Sequence, residues 1–199
     1  GLGYKQMAGY LTGDYDYEEA VRRLKRDTRH FAKRQLTWFR KEPGMMWLSI
    51  NDTETPAQVA GDLARLITTY GRKWGRDSVV VVGYSRGAGI APFAVNRLPP
   101  ALRNTVTAVV LIGAEHGAGF HFRMRDLLRS GPGPDDVPVI PEIRALGATP
   151  LLCFYGEDEE DTLCRDLAPP HVVVKMSGGH HLDGQYGVIG QRIVSAVAK

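Results

Sequence analysis

A chain of 199 residues, 43% of them hydrophobic, has enough apolar material for a packed core, which excludes a disordered tail or a low-complexity linker. No apolar run approaches the roughly 18 residues that a bilayer-crossing helix needs, and the N-terminus lacks the basic, apolar, small-residue order of a secretory signal. The net charge of +3 is unevenly spread: residues 1–43 hold ten Lys/Arg against six Asp/Glu, while residues 44–199 hold fifteen against sixteen. The excess positive charge therefore marks the first segment as a separate piece, ending near Pro43-Gly44.

That segment reads as helical. Asp16 caps a helix with Glu19 three residues on, in the manner of a capping box. Val21, Leu24, Thr28, Phe31, Gln35 and Trp38 then recur at three- and four-residue spacing, which predicts one packed face. Arg22, Arg23, Lys25, Arg26, Arg29, Lys33, Arg34 and Arg40 crowd the remainder. Such a face either is simply solvated or neutralises the phosphates of a nucleic acid.

Residues Gly3-Tyr4-Lys5-Gln6-Met7, Glu18-Glu19-Ala20 and the run Asp27 to Arg40 (DTRHFAKRQLTWFR) closely resemble the C-terminal end of bacterial tRNA dimethylallyltransferase, and the likeness covers residues 1–48. By that resemblance Lys33, Arg34, Gln35 and Thr37 contact tRNA. The family's P-loop motif, G-x-x-x-x-G-K-[ST], has no counterpart, so prenyl transfer is not expected of this chain.

After a polar connector, Asn51 to Glu54, the run Thr55-Pro56-Ala57-Gln58 opens a second helix with a capping-box pair and proline in its first turn. Val59, Leu63, Leu66, Ile67, Tyr70 and Trp74 give it an apolar stripe. Val79 to Val82 reads as a buried strand running into Gly83-Tyr84-Ser85-Arg86-Gly87. This is the G-x-S-x-G nucleophile elbow, in which small residues permit a strained, crowded turn that lifts the serine hydroxyl into the open. Further strands follow at Val106 to Ile112, Pro150 to Tyr155 and Val172 to Met176. A helix lies behind the elbow, another near Phe120 to Leu128 and a last one near Tyr186 to Val197, and Ser130 to Pro141 is a loop or lid. Short apolar strands alternating with helices predict a parallel sheet of about four strands covered on both faces, an α/β class.

The acidic run Glu157 to Asp161 follows the third strand and Gly178-Gly179-His180-His181 follows the fourth, which gives the chain order serine, acid, histidine of α/β-hydrolases. Ser85 is the expected nucleophile and needs a base to take its proton. His180 is the first choice of base, with His181 beside it. Glu159 and Asp161 are the candidate acids, with Asp158 behind them. The backbone N–H of Arg86 would supply one oxyanion donor. This chemistry calls for no metal and no cofactor. His180, His181 and Asp183 read as part of the triad region and not as a metal site, and His30, His116, His121 and His171 lack ligand spacing.

Asp62-Leu63-Ala64-Arg65, GYSRGA at Gly83 to Ala88, PFAVNRLPP at Pro92 to Pro100, YGEDEEDTLC at Tyr155 to Cys164 and GGHHLD at Gly178 to Asp183 resemble, in order, the bacterial virulence protein VirJ (AcvB) family, over residues 55–197. The resemblance implies an α/β-hydrolase fold and a periplasmic serine hydrolase that cleaves the ester of aminoacylated phosphatidylglycerol, notably lysyl-phosphatidylglycerol. It also matches Cys153 and Cys164 to family positions. An oxidising compartment would make them a disulfide; with no signal sequence in view, two reduced buried thiols are the other reading. In α/β-hydrolases the second oxyanion donor comes from a loop after an earlier strand, a region taken here by the transferase-like segment. The expectation is a hydrolase domain, 55–199, that lacks its N-terminal half and exposes a sheet edge unless the basic helices cover it.

Overall fold

The computed structural model describes residues 3–42, 55–120, 133 and 135–198. The predicted boundary at Pro43-Gly44, the connector Asn51 to Glu54 and the stretch 121–128 lie outside the described residues. The chain divides into two compact units, Gly1–Ser49 and Ile50–Lys199.

The first unit holds α1 (Tyr4–Leu11) and α2 (Tyr17–Lys41). Asp16 caps α2 by accepting the backbone N–H of Glu19 at 2.8 Å, as its spacing predicts. The Glu19 carboxylate does not return to close the box; it pairs with Arg22 and Arg23 one turn on, a charge contact stronger than a reach back to one amide. α1 packs on the beginning of α2, where Ala20 is fully buried. Farther along, Phe31 and Trp38 of the predicted packed face are exposed.

The second unit begins with α3 (Pro56–Trp74), which carries the predicted reciprocal cap: Gln58 accepts the Thr55 N–H at 2.8 Å and Thr55 Oγ1 accepts the Gln58 N–H at 3.3 Å. There follow β1 (Val79–Tyr84), α4 (Arg86–Asn96), α5 (Pro100–Arg103), β2 (Val106–Ile112), β3 (Gly117–Ala118), β4 (Val137–Pro138), α6 (Ile140–Ala145), β5 (Leu151–Gly156), β6 (Val172–Met176) and α7 (Tyr186–Val197). Four strands form one parallel sheet in the order β1-β2-β5-β6. The segment read as a loop between Ser130 and Pro141 instead contains β4, paired antiparallel with β3, and runs into α6. Two-residue strands and a six-residue helix are too short to leave a periodic signal.

Alternation along the strands sends apolar side chains to both faces. Val109 and Leu111 face a layer holding Ala91, Phe93 and Val95 of α4, Ile67 of α3 and Ile143 of α6. Val110 and Ile112 face Leu182 and Ile189, the latter on α7. A salt bridge between Arg97 and Glu142, 2.8 Å, ties the end of α4 to α6, and Asn96 donates to the same carboxylate at 2.7 Å. Cys153 on β5 and Cys164 are joined by a disulfide across an 11-residue separation.

Among the described residues β1 has β2 as its sole sheet neighbour, so the strand leading to Ser85 lies at an edge, with Val82 and Tyr84 exposed. No described helix is long and apolar enough to cross a membrane.

Closing a loop of this length removes chain entropy worth about 3 kcal/mol from the unfolded state. A Cys153→Ala/Cys164→Ala variant should therefore lose roughly that stability in urea titration, and an unchanged midpoint would show that the bridge adds nothing.

Candidate active site

Parallel register aligns the carboxyl ends of β1, β2, β5 and β6, and backbone hydrogen bonds continue the alignment past the strands. Ser85 N–H donates to Ile112 O at 2.8 Å, Gly113 N–H to Phe154 O at 2.9 Å and Glu157 N–H to Met176 O at 2.8 Å. Every sequence-predicted catalytic residue therefore sits on one rim of the sheet.

Ser85 occupies the turn between β1 and α4 with φ 54° and ψ −122°, a conformation that L-residues rarely adopt and that crowded surroundings must enforce. The crowding is visible at Gly83, where a Cβ would come within 2.7 Å of Ala88 Cα. Ser85 Oγ lies 2.8 Å from His180 Nε2, and His180 Nδ1 lies 2.6 Å from Glu159 Oε1. The second Glu159 oxygen accepts the Gly156 N–H at 2.7 Å. A carboxylate at Nδ1 selects the tautomer with its proton there, leaving the Nε2 lone pair for the serine hydroxyl. Such a line can take up the hydroxyl proton as the oxygen attacks an electrophilic carbon.

The structure separates residues that the sequence leaves as alternatives. Asp161 points away from His180 and meets His116 Nδ1 at 2.8 Å. Asp158 is exposed, and its backbone N–H donates to Gly178 O at 3.1 Å. His181 is held by the Tyr84 hydroxyl, 2.9 Å from its Nδ1, and the same hydroxyl reaches the His180 carbonyl at 3.3 Å. Arg86 is the first residue of α4, where backbone N–H groups project from the helix end; its guanidinium donates to Gly119 O at 3.1 Å. Lys33, Arg34, Gln35 and Thr37 lie exposed on α2 in the other unit, with the Thr37 hydroxyl bonded back to Lys33 O at 2.8 Å.

Two features escape a linear reading. Gly113, buried and at φ 60°, directly follows β2 and lies against the imidazole: a Cβ there would sit 2.8 Å from His180 Cε1 and 3.0 Å from Nδ1. Glu115, two residues on, has its carboxyl pushed above the ordinary range by burial first and by the Asp161 carboxylate second, partly offset by His180. A glycine after a strand is a weak signal alone; only the sheet order brings it to the histidine.

The family model for bacterial virulence protein (VirJ) matches residues 47–199. The chain belongs to the VirJ family. An IPP transferase model matches residues 1–42. Over 54 residues the chain is 61% identical to the tRNA dimethylallyltransferase of Natranaerobius thermophilus, which is 27% of this chain and 16% of that relative, so it spans about a sixth of the relative's length. Solved structures that it resembles include naproxen esterase from Bacillus subtilis, with 16% identity, a TM-score of 0.49 and coverage of 74% of this chain and 68% of that one. MenH from S. aureus is similar at 14% identity and a TM-score of 0.49, over 78% of this chain and 81% of that one. This chain's VirJ membership and its parallel sheet with an elbow serine support a hydrolase.

Because the Gly113 site has neither space nor a favourable backbone for a side chain, Gly113→Ala should displace the His180 ring. Displacement on the 1 Å scale costs on the order of 100-fold in rate. Labelling of Ser85 by a fluorophosphonate should slow by that factor while far-ultraviolet circular dichroism stays unchanged, and labelling at the wild-type rate would show that the ring is not confined there.

Proposed function

We propose that this chain is a serine ester hydrolase of VirJ type, working through Ser85, His180 and Glu159. The observation that carries the reading is the continuous hydrogen-bonded line from Ser85 Oγ through the imidazole to Glu159, at 2.8 and 2.6 Å. Ser85 Oγ attacks the ester carbonyl while His180 Nε2 takes its proton, and the Glu159 carboxylate stabilises the imidazolium so formed. The backbone N–H of Arg86 donates to the developing oxyanion. The alcohol leaves with the proton from His180. Water, deprotonated by the same imidazole, then releases the acid and restores the serine.

Family resemblance names aminoacyl-phosphatidylglycerol, with lysyl-phosphatidylglycerol first, as the substrate class. Acidic surroundings support an acyl group that carries ammonium charge: Glu115 interacts with Asp161, Asp136 and Glu159 as well as with His180. A periplasmic location, also implied by the family, suits the Cys153–Cys164 disulfide, since such bonds persist in oxidising compartments.

A second reading applies to the first unit, on the strength of its 61% identity to a tRNA dimethylallyltransferase. The exposed Lys33 and Arg34 on α2 are then tRNA contacts made through phosphates. A third possibility, a chimera without catalysis, is the outcome that the following tests would select by failure.

Ser85→Ala and His180→Ala should each abolish fluorophosphonate labelling, and Glu159→Gln should lower lysyl-phosphatidylglycerol turnover by about 10⁴, the scale for a triad acid that loses its charge. A comparable loss in Asp161→Asn would reject Glu159 as the acid; a folded wild type that resists labelling would reject the hydrolase. For the first unit, Lys33→Glu/Arg34→Glu should reduce the slope of log affinity for tRNA against log salt by about two, and an unchanged slope would reject the contact.

A further inference from the structure

We propose that His116, as an imidazolium bridging Asp161 and Asp166, is a positioning residue that holds the Glu159 loop in place for the triad. The proposal rests on the reading of Ser85, His180 and Glu159 as the reacting line.

Both ring nitrogens of His116 face carboxylate oxygens at hydrogen-bonding distance: Nδ1 is 2.8 Å from Asp161 Oδ1 and Nε2 is 2.8 Å from Asp166 Oδ2. A neutral imidazole has one N–H, so one of the two contacts would set a lone pair against an anionic oxygen. Only the protonated ring donates to both. The ring thus carries a positive charge where the loop carries many negative ones.

Glu157, Asp158, Glu159, Glu160 and Asp161 are consecutive. Five adjacent carboxylates repel one another, and the repulsion favours an opened loop unless cations are fixed beside it. Lys175 Nζ stands 3.4 Å from Glu157 at one end. His116 holds the other end, and through Asp166 it also grips the 3-10 turn Leu163–Asp166 that follows. Its own backbone is anchored, since His116 O accepts the Val139 N–H at 3.0 Å, while the neighbouring Ala114 O accepts the Leu163 N–H at 3.0 Å. Glu159 lies between these two fixed ends.

The charged groups acting on the ring are Asp161 from the acidic loop and Asp166 from the 3-10 turn, and Asp161 in turn interacts with Glu115, next to His116 in the chain. The hydrogen bond donated to Asp166 is the largest cause of a His116 pKa raised above the ordinary value; burial opposes it and the bond donated to Asp161 adds to it. A raised folded-state pKa means that the clamp is fully present below the unfolded value of about 6.5 and is lost as pH rises through the folded value. Activity should therefore fall at alkaline pH as His116 loses its proton. The clamp is partly exposed, so its effect is modest compared with loss of a triad residue.

The test uses the full chain. The His116 ring resonances are followed by NMR from pH 5 to 10, and the Ser85 fluorophosphonate labelling rate is followed over the same range. His116 should titrate above about 6.5 and return toward that value in Asp161→Asn/Asp166→Asn. His116→Gln should slow labelling roughly tenfold near neutral pH and remove the alkaline fall, whereas His116→Lys, charged throughout, should keep the wild-type rate and shift the fall to higher pH. A His116 that titrates at or below the ordinary value, or a His116→Gln profile superimposable on wild type, would overturn the clamp. If wild type is not labelled at any pH the triad reading fails, and the shift of the His116 titration in the double variant decides the bridge by itself.

Discussion

Backbone meets backbone at two glycines, and the geometry of the candidate site depends on both. A Cβ on Gly83 would lie 2.6 Å from the Gly87 carbonyl carbon, and one on Gly156 would lie 2.7 Å from the Gly179 carbonyl carbon. The first contact lets α4 turn back sharply after β1, which forces Ser85 into its unusual φ and raises the hydroxyl. The second lets the loop after β6 cross the end of β5, which sets His180 above Glu159. No side chain fits in either place, so the serine, the histidine and the acid are positioned by main-chain packing with little rotameric freedom to adjust.

Electrostatics works against this arrangement and is balanced locally. The acidic loop gathers five consecutive carboxylates, Glu157 to Asp161, beside His180. Glu159 is the member of the run turned toward His180, and its two oxygens have separate partners, His180 Nδ1 and the Gly156 N–H. Its neighbours are turned outward to Lys175 and His116. The Cys153–Cys164 bridge closes the same loop covalently, linking β5 to the turn that carries Asp166. Glu159 is thus held by a disulfide, by backbone bonds at Ala114 and Gly156, and by contacts of Glu157 with Lys175 and of Asp161 with His116.

The two units answer to different physics. In the hydrolase-like unit a buried parallel sheet organises a site at its rim. In the other unit α1 buries the start of α2, and the rest of α2 presents Arg and Lys with exposed aromatics. Matches to the VirJ model over 47–199 and to the IPP transferase model over 1–42 follow the same partition.

Much of this was legible in the residues themselves. The capping pair Thr55 and Gln58, the four apolar runs, the elbow and the order serine, acid, histidine are local signals, because steric turn requirements and strand periodicity act within a few residues. Two choices were not local. Glu159 and Asp161 are alike in sequence, and so are His180 and His181; the sheet order β1-β2-β5-β6 and the register beyond it aim one of each pair at Ser85 and turn the others to His116 and Tyr84. The roles of Gly113 and His116, and the β3–β4 pairing, likewise depend on contacts between segments tens of residues apart. Sequence by itself determined the α/β class and the elbow that carries Ser85, whereas tertiary structure alone decided which acid and which histidine are hydrogen-bonded in line with that serine, since hydrogen bonding depends on distance and direction that only the assembled strands define.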